Sequence, residues 1–142
     1  MIKYSNKLNE LMGKDTSVKD LQVYFGFKST SLIYMWKNNT CMPSFLHLIK
    51  LADYFKINID YLLDISENME IVEPKKLPKF SEHLKKIIKQ QKSSQYKLIQ
   101  DNIISAGHIN SWLNIGSLPT AENLIKLAEY LNVTIDELVG RI

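Results

Sequence analysis

The chain has 142 residues, of which 45% are hydrophobic and 23% are charged, and its formal net charge at pH 7 is +3. No apolar run approaches the roughly 20 residues that a membrane-spanning helix needs. The single cysteine, Cys41, cannot form an internal disulfide, and the first residues lack the apolar segment of a secretory signal. We therefore expect a globular, cytoplasmic protein rather than a membrane or secreted one.

Helix start signals followed by apolar residues at helical spacing occur five times in the first half of the chain. The predicted helices begin at Ser5, Ser17, the Ser/Thr cluster at 29–31, Ser44 and Asn58. Gly13, Gly26 and the asparagine pair at 38–39 are expected to end the first three helices, because glycine and asparagine tolerate the left-handed backbone. The third helix places Ile33 and Trp36 three residues apart, which predicts that both face the core.

The same pattern returns 76 residues later. Between Trp36 and Leu63, twelve of 28 residues are identical to their counterparts between Trp112 and Val139. The second set of helix starts is expected at Ser81, Ser94, Ser105, Thr120 and Thr134, the last in a capping box with Glu137. A repeat of this length predicts two small domains, residues 1–65 and 79–142, joined by a polar, proline-containing linker at residues 66–78.

Most of the excess positive charge lies in one segment. Eight lysines face a single acidic residue, Glu82, between residues 75 and 97: Lys75, Lys76, Lys79, Lys85, Lys86, Lys89, Lys92 and Lys97. Such a segment is either a solvated helix face or a site that attracts a polyanion. We take Lys75, Lys76, Lys85, Lys89 and Lys92 as candidates for contact with phosphates.

Five motifs occur in the same order in both halves. In the first half they are Leu21 with Phe25 to Phe27, Ile33 with Trp36 and Asn38, Pro43 with Ser44, Leu48 to Ala52, and Ile59 to Leu63. Together they resemble the lambda-repressor-like, Cro-type (XRE) helix-turn-helix family. The resemblance implies an all-α fold of two tandem five-helix domains. It also implies sequence-specific binding to double-stranded DNA by a bacterial or phage transcriptional regulator of the repressor type.

In the family that the chain resembles, the third helix of each domain enters the major groove. The groove-facing positions carried over to the first half are Ser29, Thr30, Ser31, Tyr34 and Lys37, and those carried over to the second half are Ser105, Ala106, Gly107, His108, Asn110 and Ser111. Further candidates for DNA binding are Lys28, Asn38, Asn114 and Gln95, the last of which matches a glutamine that binds a phosphate in the family. The first half has Val18 at that glutamine position, which departs from the family pattern.

The third helix of the first half is also apolar on its outward side. Leu32, Tyr34 and Met35 remain after Ile33 and Trp36 are assigned to the core. One interpretation is an interface with a second copy or with another protein, because a helix that is apolar all round is usually buried. The other is that Tyr34 contacts thymine methyl groups and sugars. The sequence leaves both open.

The chain has seventeen lysines but one arginine, Arg141. Because arginine makes the commonest bidentate contact to guanine, we expect an A/T-rich target. A linker of this length could also bridge the ~34 Å between successive half-sites, so that one chain acts as a pseudo-dimer.

Residues typical of catalytic or metal sites are not grouped in the sequence. The three histidines are widely spaced, and no glycine-rich phosphate loop or nucleophile elbow occurs. We expect no cofactor and no enzymatic activity, with His47 and His83 on the surface.

Overall fold

The computed structural model of the chain describes residues 6–91, 97, 100–101 and 104–142. Over these residues the fold is helical, and the only β pairing is an isolated antiparallel bridge between Ile57 and Ile71. The prediction of an all-α fold is confirmed for this part of the chain. The chain divides into two compact units, Met1–Glu73 and Pro74–Ile142. None of the described helices combines the length and the apolar character needed to cross a bilayer.

Five helices are present in the described part of the first unit, residues 6–73. They are α1 (Leu8–Met12), α2 (Val18–Phe25), α3 (Ser31–Lys37), α4 (Phe45–Phe55) and α5 (Ile59–Leu62). Ser17 and Asp20 form a capping box at the start of α2, and the hydroxyl of Ser44 accepts from the His47 N–H at the start of α4. Gly26 (φ 73°) and Asn39 (φ 55°) are left-handed after α2 and α3, as predicted.

Two of the predicted helix starts in the first unit lack the expected side-chain cap or lie outside the described residues. The helix α1 begins at Leu8 after Lys7, and Ser5 lies outside the described residues. The helix α5 begins directly after Asn58, as predicted, but the Asn58 side chain does not bond the first turn of the helix. The Asn58 amide instead donates to the Asn68 carbonyl (3.1 Å) and accepts from the Glu70 N–H (2.8 Å). A partner distant in sequence therefore replaces the local cap.

Hydrogen bonds to Lys56 and Asn58 hold residues 68–72 against the rest of the first unit. The Asn58 N–H donates to the Glu70 carbonyl and the Val72 N–H to the Lys56 carbonyl, and the side chain of Val72 is buried. These residues fall within the stretch at 66–78 that the sequence presents as a polar linker. The packed end of the first unit thus extends beyond α5.

An aromatic cluster surrounds the buried indole of Trp36 in the first unit. Trp36 is 1% exposed, and its ring centre lies 5.4 Å from those of both Phe25 and His47. Phe27 stacks on Phe25 and lies 5.2 Å from His47. His47 is half-buried, so it lies at the surface as expected, but its ring packs among three aromatic rings.

The described helices of the second unit are α6 (Phe80–Gln90), α7 (Ala106–Asn110), α8 (Ala121–Leu131) and α9 (Ile135–Val139). A single π-helical turn, Ser111–Ile115, continues α7. Lys97 and Gln100 are also helical, and the Asp101 N–H donates to the Lys97 carbonyl at 3.0 Å.

Three of the five predicted caps in the second unit are present. Ser105, Thr120 and Thr134 each accept a hydrogen bond from the backbone three residues on. Ser81 is instead the second residue of α6, which begins after Lys79 without a side-chain cap. Ser94 lies outside the described residues. Of the predicted capping box at Thr134, the bond from the Glu137 N–H to the hydroxyl is present at 3.1 Å.

The end of α9 is fixed by a buried ion pair and by contacts with Pro78 and His83. The side chains of Asp136 and Arg141, each 2% exposed, form a buried ion pair, and Gly140 lies against Pro78 so closely that a Cβ would come within 2.6 Å of the proline Cδ. His83 Nε2 lies 2.7 Å from the Glu137 carbonyl oxygen. His83 is thus half-buried and hydrogen-bonded rather than a free surface residue.

Candidate nucleic-acid interface

The helix α7 presents a polar outer face because its apolar residues are fixed inward. Ile109 and Trp112, three residues apart, are buried at 0% and 3% exposure. The hydroxyl of Ser105 accepts from the His108 N–H at 3.3 Å and so defines where the helix begins. The predicted contact residues that remain exposed are Ser105, Ala106, Gly107, His108, Asn110 and Asn114, and Ser111 is half-buried.

After α7 the backbone forms a π-helical turn, in which a backbone N–H bonds to the carbonyl five residues back instead of four. The Gly116 N–H donates to the Ser111 carbonyl, five residues back, at 2.9 Å, and Gly116 itself is left-handed with φ 93°. Asn114 Nδ2 donates to Asn110 Oδ1 at 2.8 Å on the exposed side. The two asparagine side chains therefore form a linked pair.

The imidazole of His108 is held against the core. Its ring is stacked on the indole of Trp112, with centres 5.7 Å apart and planes 4° apart, while the residue stays exposed. Stacking restricts the ring without using its nitrogens. Those nitrogens remain available as hydrogen-bond donor and acceptor at the middle of the polar face.

The lysines predicted to contact phosphates lie on different segments. Lys85, Lys86 and Lys89 are exposed on α6, on the side opposite its buried residues Leu84, Ile87 and Ile88. The buried side of α6 packs against the π-turn and α9. Lys75 and Lys76 are exposed ahead of α6. Lys92 and Gln95 lie outside the residues that the structure describes.

In the first unit the predicted contact residues group at the start and along the outer side of α3. Lys28, Ser29 and Ser31 are exposed and Thr30 is half-buried; Lys37 is half-buried and Asn38 exposed at the other end. The ammonium group of Lys37 lies 5.5 Å from the ring centre of Tyr34. This side of α3 therefore combines small hydroxyl groups with one cation over an aromatic ring.

Two asparagines that the sequence did not single out fix the end of α3. Asn6 Nδ2 donates to the Trp36 carbonyl (2.9 Å) and to Asn39 Oδ1 (3.0 Å). Asn9 Nδ2 donates to the Lys37 carbonyl at 3.0 Å. The residues they bind are about 30 positions away along the chain, so no local pattern indicates these contacts.

The outer side of α3 is nevertheless apolar compared with α7. Tyr34 is 48% exposed and Met35 39% exposed, whereas Leu32 is half-buried. The prediction that Ile33 and Trp36 face the core is confirmed, since both are at most 1% exposed. The positions of Asn110, at the end of α7, and Ser111, at the start of the π-turn, thus correspond to exposed Tyr34 and Met35 in α3.

The polar face of α7 includes no arginine and no cluster of metal-binding side chains. Arg141, the single arginine of the chain, is buried against Asp136 and does not reach the polar face of α7 as a free cation. Within the described residues, no three His, Cys, Asp or Glu side chains are grouped so as to hold a metal ion. The groups on α7 that can bind a ligand are hydroxyls, amides and one imidazole.

Residues 84–138 match the helix-turn-helix family of the Cro/C1, or XRE, type. The match begins within α6 and ends within α9, so it includes α7 and the π-turn, and a single domain is matched. This family is one of DNA-binding transcription regulators. Comparisons with curated proteins and with solved structures give no match.

Proposed function

We propose that the chain is a sequence-specific, double-stranded DNA-binding transcriptional regulator of the repressor type found in bacteria and phages. The observation that carries this proposal is the exposed polar face of α7, which lies within the segment that matches the helix-turn-helix family. An α-helix is about 10 to 12 Å across and fits the major groove, where each base pair presents a distinct set of donors and acceptors. Ser105, His108 and Asn110 supply matching groups.

The lysines supply the attraction to the phosphate backbone. Lys85 and Lys89 on α6, and Lys75 and Lys76 ahead of it, are exposed cations close in sequence to the helix-turn-helix segment. Lys92 and Gln95 belong to the same proposed set. Because Arg141, the single arginine of the chain, is buried in an ion pair, the chain has no exposed arginine that could contact guanine. This supports a preference for A/T-rich targets.

We extend the proposal to the first unit, as a second helix-turn-helix domain in tandem. Its five helices follow the predicted order, and α3 places Ile33 and Trp36 inward as α7 and the π-turn place Ile109 and Trp112. Lys28, Ser29, Thr30, Ser31, Tyr34, Lys37 and Asn38 would then contact a second half-site. One chain would act as a covalent pseudo-dimer on DNA.

Fluorescence anisotropy with a labelled A/T-rich duplex across a salt series tests the proposal. We expect log affinity to fall linearly with log salt concentration, because lysines that neutralise phosphates release counterions. Changing Lys85 and Lys89 together to Gln is expected to reduce the slope by about 1 to 2, since each lost phosphate contact removes ~0.9.

The matched control changes Lys14 and Lys19 together to Gln. Both are exposed lysines of the first unit, outside the proposed contact set, and the change removes the same charge. We expect the slope of this variant to equal that of the wild-type chain. An equal slope reduction in both variants would mean a nonspecific charge effect, and no binding at ~50 mM salt would contradict the proposal.

A second candidate function is supported by the exposed Tyr34 and Met35 on α3. In this alternative the first unit binds a second copy of the chain or another protein, and the second unit alone binds DNA. Changing both residues to Ser would then lower the molecular mass measured by sedimentation without lowering DNA affinity. If the pair contacts DNA instead, the same variant loses affinity and keeps its mass.

A further inference from the structure

Asn110 and Asn114 form an isolated hydrogen-bonded pair on the exposed side of the second unit. Asn114 Nδ2 donates to Asn110 Oδ1 at 2.8 Å, and both residues are exposed. In the part of the chain that the structure describes, neither side chain has another hydrogen-bond partner. Among the described residues, nothing satisfies the NH₂ group of Asn110 or the second lone pair of its Oδ1.

The pair lies where the two units differ in helix type. Asn110 ends α7 and Asn114 lies in the π-turn, whereas the corresponding residues of α3 are α-helical up to Lys37. A backbone bond to the fifth residue back occurs in both units, from Gly116 to Ser111 and from Thr40 to Met35. The corresponding residues of the first unit are Tyr34 and Asn38, joined by an ordinary backbone bond from the Asn38 N–H to the Tyr34 carbonyl. Single π-turns within helices are rare and occur frequently at functional sites.

We infer that Asn110 selects adenine in the major groove and that Asn114 positions the side chain of Asn110. The inference rests on the proposed DNA binding by the second unit. Adenine presents an N7 acceptor and an N6 amino donor, and an asparagine amide can pair with both at once. Asn110 offers a donor and a remaining acceptor, which is the complementary arrangement.

Guanine does not fit the same amide. Its N7 and O6 are both acceptors, so the Oδ1 of Asn110 would face O6 without a proton between them. Arginine is the side chain that reads guanine best, and Arg141 is buried against Asp136. The polar face of α7 therefore favours adenine at the position that Asn110 contacts.

The contribution of Asn114 is to restrict the side chain of Asn110. A free asparagine on a helix surface must lose rotamer freedom when it binds a base, and this loss weakens binding. The bond from Asn114 holds the Asn110 amide before DNA arrives. Removing Asn114 should therefore reduce discrimination between bases more than it reduces attraction to phosphates.

The test is selection by the full-length chain from a randomised duplex library, followed by affinity measurement on the enriched site. We expect the wild-type chain to enrich sites with one invariant adenine whose preference Asn110→Ala abolishes, a loss of about tenfold or more in discrimination. Replacing that adenine with 7-deazaadenine should weaken the wild-type chain similarly and leave Asn110→Ala unaffected, because only the N7 acceptor is removed.

Asn114→Ala and Asn114→Gln separate positioning from direct contact. We expect Asn114→Ala to lose adenine preference while its salt slope stays that of the wild-type chain, and Asn114→Gln, which keeps the donor, to recover part of the preference. A phosphate contact would instead weaken Asn114→Ala uniformly across sequences and leave the preference for adenine unchanged. Asn68→Ala removes an exposed asparagine amide outside this face and serves as the matched control.

The outcomes distinguish this inference from the proposed function. Enrichment of a site whose adenine preference survives Asn110→Ala overturns the inference and leaves DNA binding intact. Loss of the adenine preference in Asn110→Ala and Asn114→Ala, but not in Asn68→Ala, with circular dichroism unchanged, supports the inference. No binding of the wild-type chain to any duplex overturns both.

Discussion

The imidazole of His47 lies among three aromatic rings, those of Phe25, Phe27 and Trp36. Removal from water disfavours the imidazolium, and the nearby ammonium of Lys50 disfavours it further, so the pKa of His47 is below its usual 6.5. His47 therefore binds a proton more readily in the unfolded chain than in the folded one. This links the stability of the first unit to pH.

We predict that the free energy of unfolding of the first unit falls as pH is lowered through 6.5 towards the folded-state pKa of His47. Above 6.5 the contribution of His47 is fully present, because the residue is neutral in both states. Denaturant titrations at about pH 7.5 and about pH 5.5, followed by Trp36 fluorescence in a Trp112→Phe background, measure the difference.

The control for this prediction is the same pair of titrations on His47→Gln. His83 and His108 are present in both proteins, so their contributions cancel. The variant is expected to lose less stability between the two pH values than the protein with His47. An identical loss in both would show that His47 does not carry the pH dependence.

Single residues differ in how far the sequence predicts their environment. The spacing of Ile33 and Trp36 correctly predicts two buried side chains, because helical periodicity alone brings them to one face. The position of His47 is not predictable in this way. Its neighbours come from α2, the following turn and α3, and nothing near His47 in the sequence indicates that they meet.

At the level of elements, local capping chemistry predicts helix starts where no distant partner competes. Ser17, Ser105, Thr120 and Thr134 each accept the expected backbone hydrogen bond. Asn58 does not, because Glu70 and Asn68 bind its amide. The π-turn is also not predictable, since the side chains of residues 111–115 carry no repeat that distinguishes it from an α-helix.

The last helix, α9, is closed by the buried pair of Asp136 and Arg141. We predict that Arg141→Ala destabilises the second unit by roughly 3 to 5 kcal/mol, because it leaves a buried carboxylate without its partner. Trp112 fluorescence in a Trp36→Phe background, followed in a denaturant titration, reports this unit, since the chain has two tryptophans.

Lys126→Ala is the matched control for this ion pair. Lys126 pairs with Glu122 at 3.5 Å, but the two side chains are 43% and 58% exposed. We expect a change of no more than about 0.5 kcal/mol, because water screens exposed pairs. Equal effects of the two variants would mean that burial of the Asp136 pair has no energetic consequence.

For the whole molecule, the repeat of 76 residues predicts two helical halves, and the chain divides into two units between Glu73 and Pro74. The sequence did not indicate where the packed part of the first unit ends. Composition marks residues 66–78 as polar, yet the bridge between Ile57 and Ile71 and the burial of Val72 hold part of that stretch against the unit.

The two units also differ in the surfaces that they offer to a partner. The outer side of α7 carries Ser105, His108 and Asn110, whereas that of α3 carries Tyr34 and Met35. Sequence alone places these residues at equivalent positions, but the Asn110 pair and the π-turn become visible only in the structure. We therefore base the central claim, that the chain reads DNA, on the second unit.

The most direct test of that claim is amide chemical-shift mapping of the full-length, ¹⁵N-labelled chain with an A/T-rich duplex of about 20 base pairs. We predict that the largest shifts fall on residues 105–114, with smaller shifts at the lysines of α6. Shifts confined to α3, or none at ~50 mM salt, would contradict the assignment of α7 as the DNA-reading helix.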